Sequence, residues 1–245
     1  SGNGWCEPAG EALGEVLGGG ESLKHLKICV DSLGDSTISA LLNHWLRNRS
    51  RTLESLVIGG EILSDGIGKR LADLLEGDVI PLKRFEFRSE GASDEVGFAF
   101  AKVLEKNTTL NHLELWYPDL NHRAASEIVK ALSKNRSLTS LDLPLDIHVS
   151  CVDANGEWDW LPNSEHVLPP LENVLRRNMT LFRVDLGDVE LSPLITEALE
   201  RNRDLPELRF HVALVSTLTQ DDLMRAVVDA MGQQAFQRII LSFFW

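Results

Sequence analysis

Leu110-Asn-His-Leu113-Glu-Leu115-Trp116-Tyr117 decides the fold, because its apolar skeleton returns 28 residues later as Leu138-Thr-Ser-Leu141-Asp-Leu143. The skeleton, apolar-x-x-apolar-x-apolar, occurs at Leu23-Leu26-Ile28, Leu53-Leu56-Ile58, Leu82-Phe85-Phe87, Leu110-Leu113-Leu115, Leu138-Leu141-Leu143, Leu181-Val184-Leu186, Leu205-Leu208-Phe210 and Phe236-Ile239-Leu241. Successive first positions lie 30, 29, 28, 28, 43, 24 and 31 residues apart. With 43% of the chain hydrophobic, filling every one of these positions by chance has odds on the order of 10⁻⁹. A fixed period of this length is the mark of a solenoid, in which each unit buries its apolar face against its neighbours.

Within each segment the last two apolar residues are two apart, so they share one face of a strand and the residue between them faces the other way. Between segments the apolar residues fall at helical spacing, clearest at Ile38, Leu41, Leu42, Trp45 and Leu46, at Val96, Phe100, Val103 and Leu104, and at Ile128, Ala131 and Leu132. Each unit therefore reads strand, loop, helix, loop. Ser192-Pro193 supplies an N-cap followed by proline at the first helical position, and Ser93-Asp94-Glu95 puts carboxylates in a first turn. Helices end on Leu104-Glu-Lys-Asn107, Leu132-Ser-Lys-Asn135, Leu175-Arg-Arg-Asn178 and Leu199-Glu-Arg-Asn202, where asparagine suits a left-handed closing residue and the cations suit the helix's negative end.

The unit Leu-x-x-Leu-x-Leu, helix, Leu-x-x-Asn-x-x-Leu resembles the long leucine-rich repeat of the ribonuclease-inhibitor type over roughly residues 8 to 245. The resemblance implies an α/β horseshoe of about eight repeats in a single domain, residues 1–245, with parallel strands on the concave face, helices on the convex face, and protein binding as the activity. The chain departs from that pattern three residues after the last strand apolar. There it has Asp31, Glu61, Glu90, Pro118, Asp146, Val189 and Ala213 in place of Asn or Cys, so the family's internal asparagine ladder is expected to be absent.

The middle residue of each strand gives a row across the concave face: Lys27, Val57, Glu86, Glu114, Asp142, Asp185, Arg209 and Ile240. Four consecutive acids occupy its centre, which reads either as a solvated surface or as a stripe for a partner with a basic surface. Beside Glu114, His112, Trp116 and Tyr117 favour the second reading, because exposed aromatics near carboxylates are typical of interface hot spots. The 43-residue interval inserts a segment over about residues 145–166, with Asn155-Gly156 flanked by alternating residues, which predicts a protruding β-hairpin closed by a two-residue turn. Its Trp158 and Trp160 are expected at the same rim as Trp116 and Tyr117.

Other chemistry finds little support. The net charge of -13 disfavours nucleic acid. No apolar stretch is long enough for a membrane helix. Three cysteines, Cys6, Cys29 and Cys151, suit reduced thiols and a cytoplasmic protein, in a host cytoplasm if the chain is an effector. Asp153, Asn155, Glu157 and Asp159 do not complete a calcium loop, and the seven histidines show no zinc or triad spacing, so neither metal, cofactor nor catalytic residue is expected. The leading expectation is a protein-protein recognition module. Its rival is the substrate-recognition region of a ubiquitin ligase or bacterial effector whose catalytic domain lies elsewhere. Cys29-Val30-Asp31 and Cys151-Val152-Asp153 resemble the Cys-x-Asp element of bacterial ligases that carry such repeats. The apolar end, Phe243-Phe244-Trp245, implies a truncated chain or an end-to-end homodimer.

Overall fold

The computed structural model describes residues 7–19, 23–29, 34–48, 52–61, 63–76, 82–117, 120–145, 151–152, 158–159, 164–187, 189–204, 207–213 and 238–244. In chain order the elements are α1 (Glu7–Gly19), β1 (His25–Cys29), α2 (Asp35–Asn48), β2 (Ser55–Gly60), α3 (Asp65–Leu75), β3 (Arg84–Ser89), α4 (Asp94–Leu104), β4 (His112–Trp116), α5 (His122–Ala131) and β5 (Ser140–Leu145). There follow β6 (Cys151–Val152), β7 (Trp158–Asp159), α6 (Ser164–Leu175), β8 (Arg183–Gly187), α7 (Pro193–Arg203), β9 (Glu207–Ala213) and β10 (Arg238–Phe244). All eight sequence segments reach into strands.

Six of those strands form one parallel sheet in the order β1-β2-β3-β4-β5-β8, each beside its predecessor in the repeat. Equivalent repeat positions pair throughout: Leu26 with Leu56, Leu56 with Phe85, Phe85 with Leu113, Leu113 with Leu141 and Leu141 with Val184. The seventh and eighth strands, β9 and β10, pair in parallel with each other in a separate two-stranded sheet, with Leu208 opposite Ile239 and Phe210 opposite Leu241. The sheet expected to hold about eight strands therefore holds six. The repeat phase is nevertheless kept in the last pair.

The core lies between one face of the sheet and the helices. Leu56, Ile58, Phe85, Phe87, Leu113, Leu115, Leu141 and Leu143 are fully buried there with Ile38, Leu71, Val96, Phe100, Ile128 and Leu175 from the helices. Phe85 and Phe100 stack with ring centroids 5.3 Å apart. The opposite face of the sheet carries the intervening residues and is called the open face below. No helix among the described residues is long and apolar enough to cross a membrane.

Two hydrogen-bond ladders tie neighbouring units together. At the helix starts, Asp65 accepts from the Ser93 amide (2.6 Å) and hydroxyl (2.7 Å), Asp35 does the same for Ser64, and Asp94 accepts from the backbone amide and side-chain Nδ2 of Asn121. The N-cap of each of these helices is thus held by a first-turn acid of the helix before it. Ser93, Asn121 and Ser192 also accept from first-turn amides of their own helices, which fixes the starts of α4, α5 and α7.

At the helix ends, Asn107, Asn135, Asn178 and Asn202 are buried. Asn135 Oδ1 accepts from the Ser137 and Leu138 amides (3.0 and 2.8 Å), and its Nδ2 donates back to Leu104 O and Asn107 O (2.8 and 2.9 Å). Asn178 repeats this with the Thr180 and Leu181 amides and the carbonyls of Leu132 and Asn135. These asparagines form a ladder at a different place from the one after the strand, where the sequence has no Asn or Cys. It runs along the helix ends, where each side chain satisfies strand-approach amides and carbonyls of the preceding unit that would otherwise be buried unpaired.

In the inserted segment, Cys151 pairs with Asp159 and Val152 with Trp158, antiparallel. The Asn155-Gly156 turn expected from the sequence lies outside the described residues. Beside the insertion the β5–β8 register slips between Asp142 and Leu145, and Gly187 takes φ +71° where an added Cβ would lie 3.3 Å from Leu145 O. Only glycine adopts that backbone readily.

Candidate functional site

The open face is built from alternate strand residues, which the parallel register stacks into rows. The first row runs His25, Ser55, Arg84, His112, Ser140, Arg183; the second Lys27, Val57, Glu86, Glu114, Asp142, Asp185; the third Cys29, Gly59, Arg88, Trp116. The acids of the second row are flanked by arginines two residues away on their own or neighbouring strands.

Glu86 is 5% exposed and is held by Arg84 Nη2 (2.5 Å) and Nε (2.7 Å) on Oε1 and by Arg88 Nη2 (3.3 Å) on Oε2. Arg88 also reaches Glu114 Oε1 at 2.7 Å. Asp142, buried, lies 3.4 Å from Arg183 Nη2 and 3.8 Å from His112 Nε2. Asp185 is exposed and turns its Oδ1 to the Gly187 amide at 2.9 Å. Arg84, Arg88 and Arg183 thus compensate Glu86, Glu114 and Asp142, while Asp185 stays exposed and is held by the Gly187 amide. Strand periodicity placed these arginines on the same face as the acids, and that was the signal available in the sequence.

His112 lies under this network, buried, with no hydrogen-bond partner at Nε2. Burial, reinforced by the nearby Arg84 guanidinium, holds the imidazole below its ordinary value. The opposing pull of Asp142 and Glu86 is weaker.

The four rim aromatics separate. Trp116 ends β4 with 40% of its surface exposed. Tyr117, the next residue, points into the core at 2% exposure, so it is no part of an interface. Its hydroxyl would lie 2.7 Å from a Cβ on Gly97, and burial pushes its ionisation well above the ordinary tyrosine value. Consecutive strand residues face opposite ways, which separates an exposed Trp116 from a buried Tyr117. Trp158 has its backbone on β7, while its side chain and all of Trp160 lie outside the described residues, as do the side chains of Arg209 and Ile240.

At the C-terminal ends of β1 to β4 the third row borders a groove of about 490 Å³, lined by Cys29, Gly59, Gly60, Arg88 and Trp116 and edged by Glu61 and Glu90. Gly59 keeps its floor low, since a Cβ there would lie 3.2 Å from Cys29 Sγ. Sequence reasoning found Trp116 but missed the groove, because it depends on two glycines of β2, two strands away from Trp116.

No protein-family model and no curated protein matches this chain. Among solved structures, actin-binding site 2 of leiomodin-1 is similar, with 16% identity over 79% of this chain and 88% of that chain and a TM-score of 0.45.

Proposed function

We propose that this chain is a protein-recognition module of the leucine-rich-repeat kind, which binds a segment of a partner protein across the open face with Trp116 as the anchor. The observation that carries the reading is Trp116 itself. It is a large aromatic left 40% exposed on a rigid strand, at the wall of a groove and beside the Arg88 guanidinium. Trp and Arg are the residues most often found at interface hot spots, and a strand end costs little to order on binding. Because Arg84, Arg88 and Arg183 already pair Glu86, Glu114 and Asp142, the partner's contribution is an apolar or aromatic group for the groove, surrounded by mixed polar contacts. The free, exposed Cys29 in the groove supports a reducing compartment, such as the cytoplasm, as the site of action.

Affinity capture from source or host cells tests this with Trp116→Ala beside Phe98→Ala, which removes an aromatic of similar exposure, 39%, from α4. Trp116→Ala should weaken retention of the captured protein by more than about tenfold while Phe98→Ala leaves it unchanged. Equal loss in both, or in neither, would refute Trp116 as the anchor.

A further inference from the structure

We propose that Glu86, His112 and Glu114 form a binding site for a divalent transition-metal cation of the zinc class, which enters by displacing the Arg88 guanidinium. One ligand atom from each of the three lies within 4.8 Å of the others. The scaffold explains the cluster. Glu86 and Glu114 are register partners on adjacent strands, and His112 precedes Glu114 by two on the same strand, so all three side chains leave one face of a hydrogen-bonded ladder.

Two observations point to a cation. First, His112 Nε2 is buried without a hydrogen-bond partner, and its nearest acid, Asp142 Oδ2 at 3.8 Å, is beyond hydrogen-bond reach. A buried imidazole with an unpartnered nitrogen is a ready ligand, and leaving it unsatisfied is unfavourable. Second, a positive charge already occupies the place between the carboxylates: Arg88 Nη2 bridges Glu86 Oε2 at 3.3 Å and Glu114 Oε1 at 2.7 Å. A dication there would take both carboxylates and also the imidazole nitrogen, which Arg88 leaves without a partner.

One imidazole with two carboxylates suits zinc, cobalt or manganese, whereas calcium and magnesium prefer oxygen ligands alone. Arg84 on the far Glu86 oxygen would orient that carboxylate as metal-site neighbours commonly do. Three protein ligands leave a fourth position open to water or to a donor group on a bound protein. Displaced Arg88 would move toward the groove beside Trp116. This site does not depend on the protein-recognition reading.

The test is calorimetric titration of the purified full chain with Zn²⁺, and Co²⁺ titration followed by visible absorption. One ion per chain is expected, with affinity lowered by more than about 100-fold in His112→Gln. Arg88→Gln, which removes the competing cation, should tighten binding. Glu114→Gln, at a partly exposed position, serves if His112→Gln does not fold, as judged by circular dichroism. His122 and His166, stacked 4.3 Å apart on the helix side, are the rival ligands, so a His122→Gln/His166→Gln variant should bind as the parent does. Binding that follows that pair, or that is unchanged in both His112→Gln and Glu114→Gln, overturns the site, as does the absence of binding. Unchanged or weaker affinity in Arg88→Gln overturns the displacement.

Discussion

Glu54 shows how single residues knit the units of this chain. Its carboxylate takes Lys24 Nζ at 3.0 Å and Lys83 Nζ at 2.8 Å, one from the unit before and one from the unit after. Those two hydrogen-bonded ammonium groups lower its pKa from 4.5 to about 2. A carboxyl whose folded value is depressed favours folding above its unfolded value. That contribution is therefore present above about pH 4.5 and fades as the pH falls toward 2. Carboxyl-carbon NMR titration should find Glu54 titrating at about 2, and Lys83→Ala should bring it back toward 4.5. A normal Glu54 in the parent chain would contradict the pairing. At this scale the sequence disclosed residue identity and face but not pairing. Glu86 and Asp142 stood out as acids in a stripe, yet the arginines that compensate them were visible only as period-two neighbours. Glu86, His112 and Glu114 sit at spacings of 26 and 2, which resemble no metal motif until the parallel register lays one strand beside the next.

The element scale is governed by how each helix is started and stopped. The terminal asparagines read as local stop signals, since Asn-x-x-Leu recurs before each strand. Their side chains instead act across units, because the carbonyls of the preceding turn and the amides of the next strand approach are buried at the same seam. Replacing Asn135 by Ala leaves two carbonyls and two amides without that partner and should cost about 2–4 kcal/mol in urea unfolding. Asn111→Ala, which removes only an exposed bond to Ser137 O, should cost under about 1 kcal/mol. Comparable losses would show that the buried ladder is not what joins the units. The caps Ser93 and Ser192 were legible because capping chemistry is local. The Asp65–Ser93 type of contact was not, since it depends on which residues the repeat length brings together. The antiparallel pairing of β6 with β7 in the insertion was legible because its alternating residues flank a turn signal.

For the whole molecule, the repeat set the architecture: period-two strands and helical intervals of near-constant length can stack only as a parallel sheet with helices on one side. Constant spacing also marks where the stack changes. Six strands share a sheet, and the two that follow the shortest interval, 24 residues, pair with each other. What the described residues leave uncovered is the open face, with arginines paired to the acids at its centre and the exposed indole of Trp116 at a groove. Hydrogen-deuterium exchange on the chain alone and bound to its captured partner tests that face most directly. Binding should slow exchange at 59–61, 88–90 and 115–117, where β2, β3 and β4 end, and leave α3, α4 and α5 unchanged. Protection confined to those helices, with the strand ends exchanging as before, would contradict recognition through the open face.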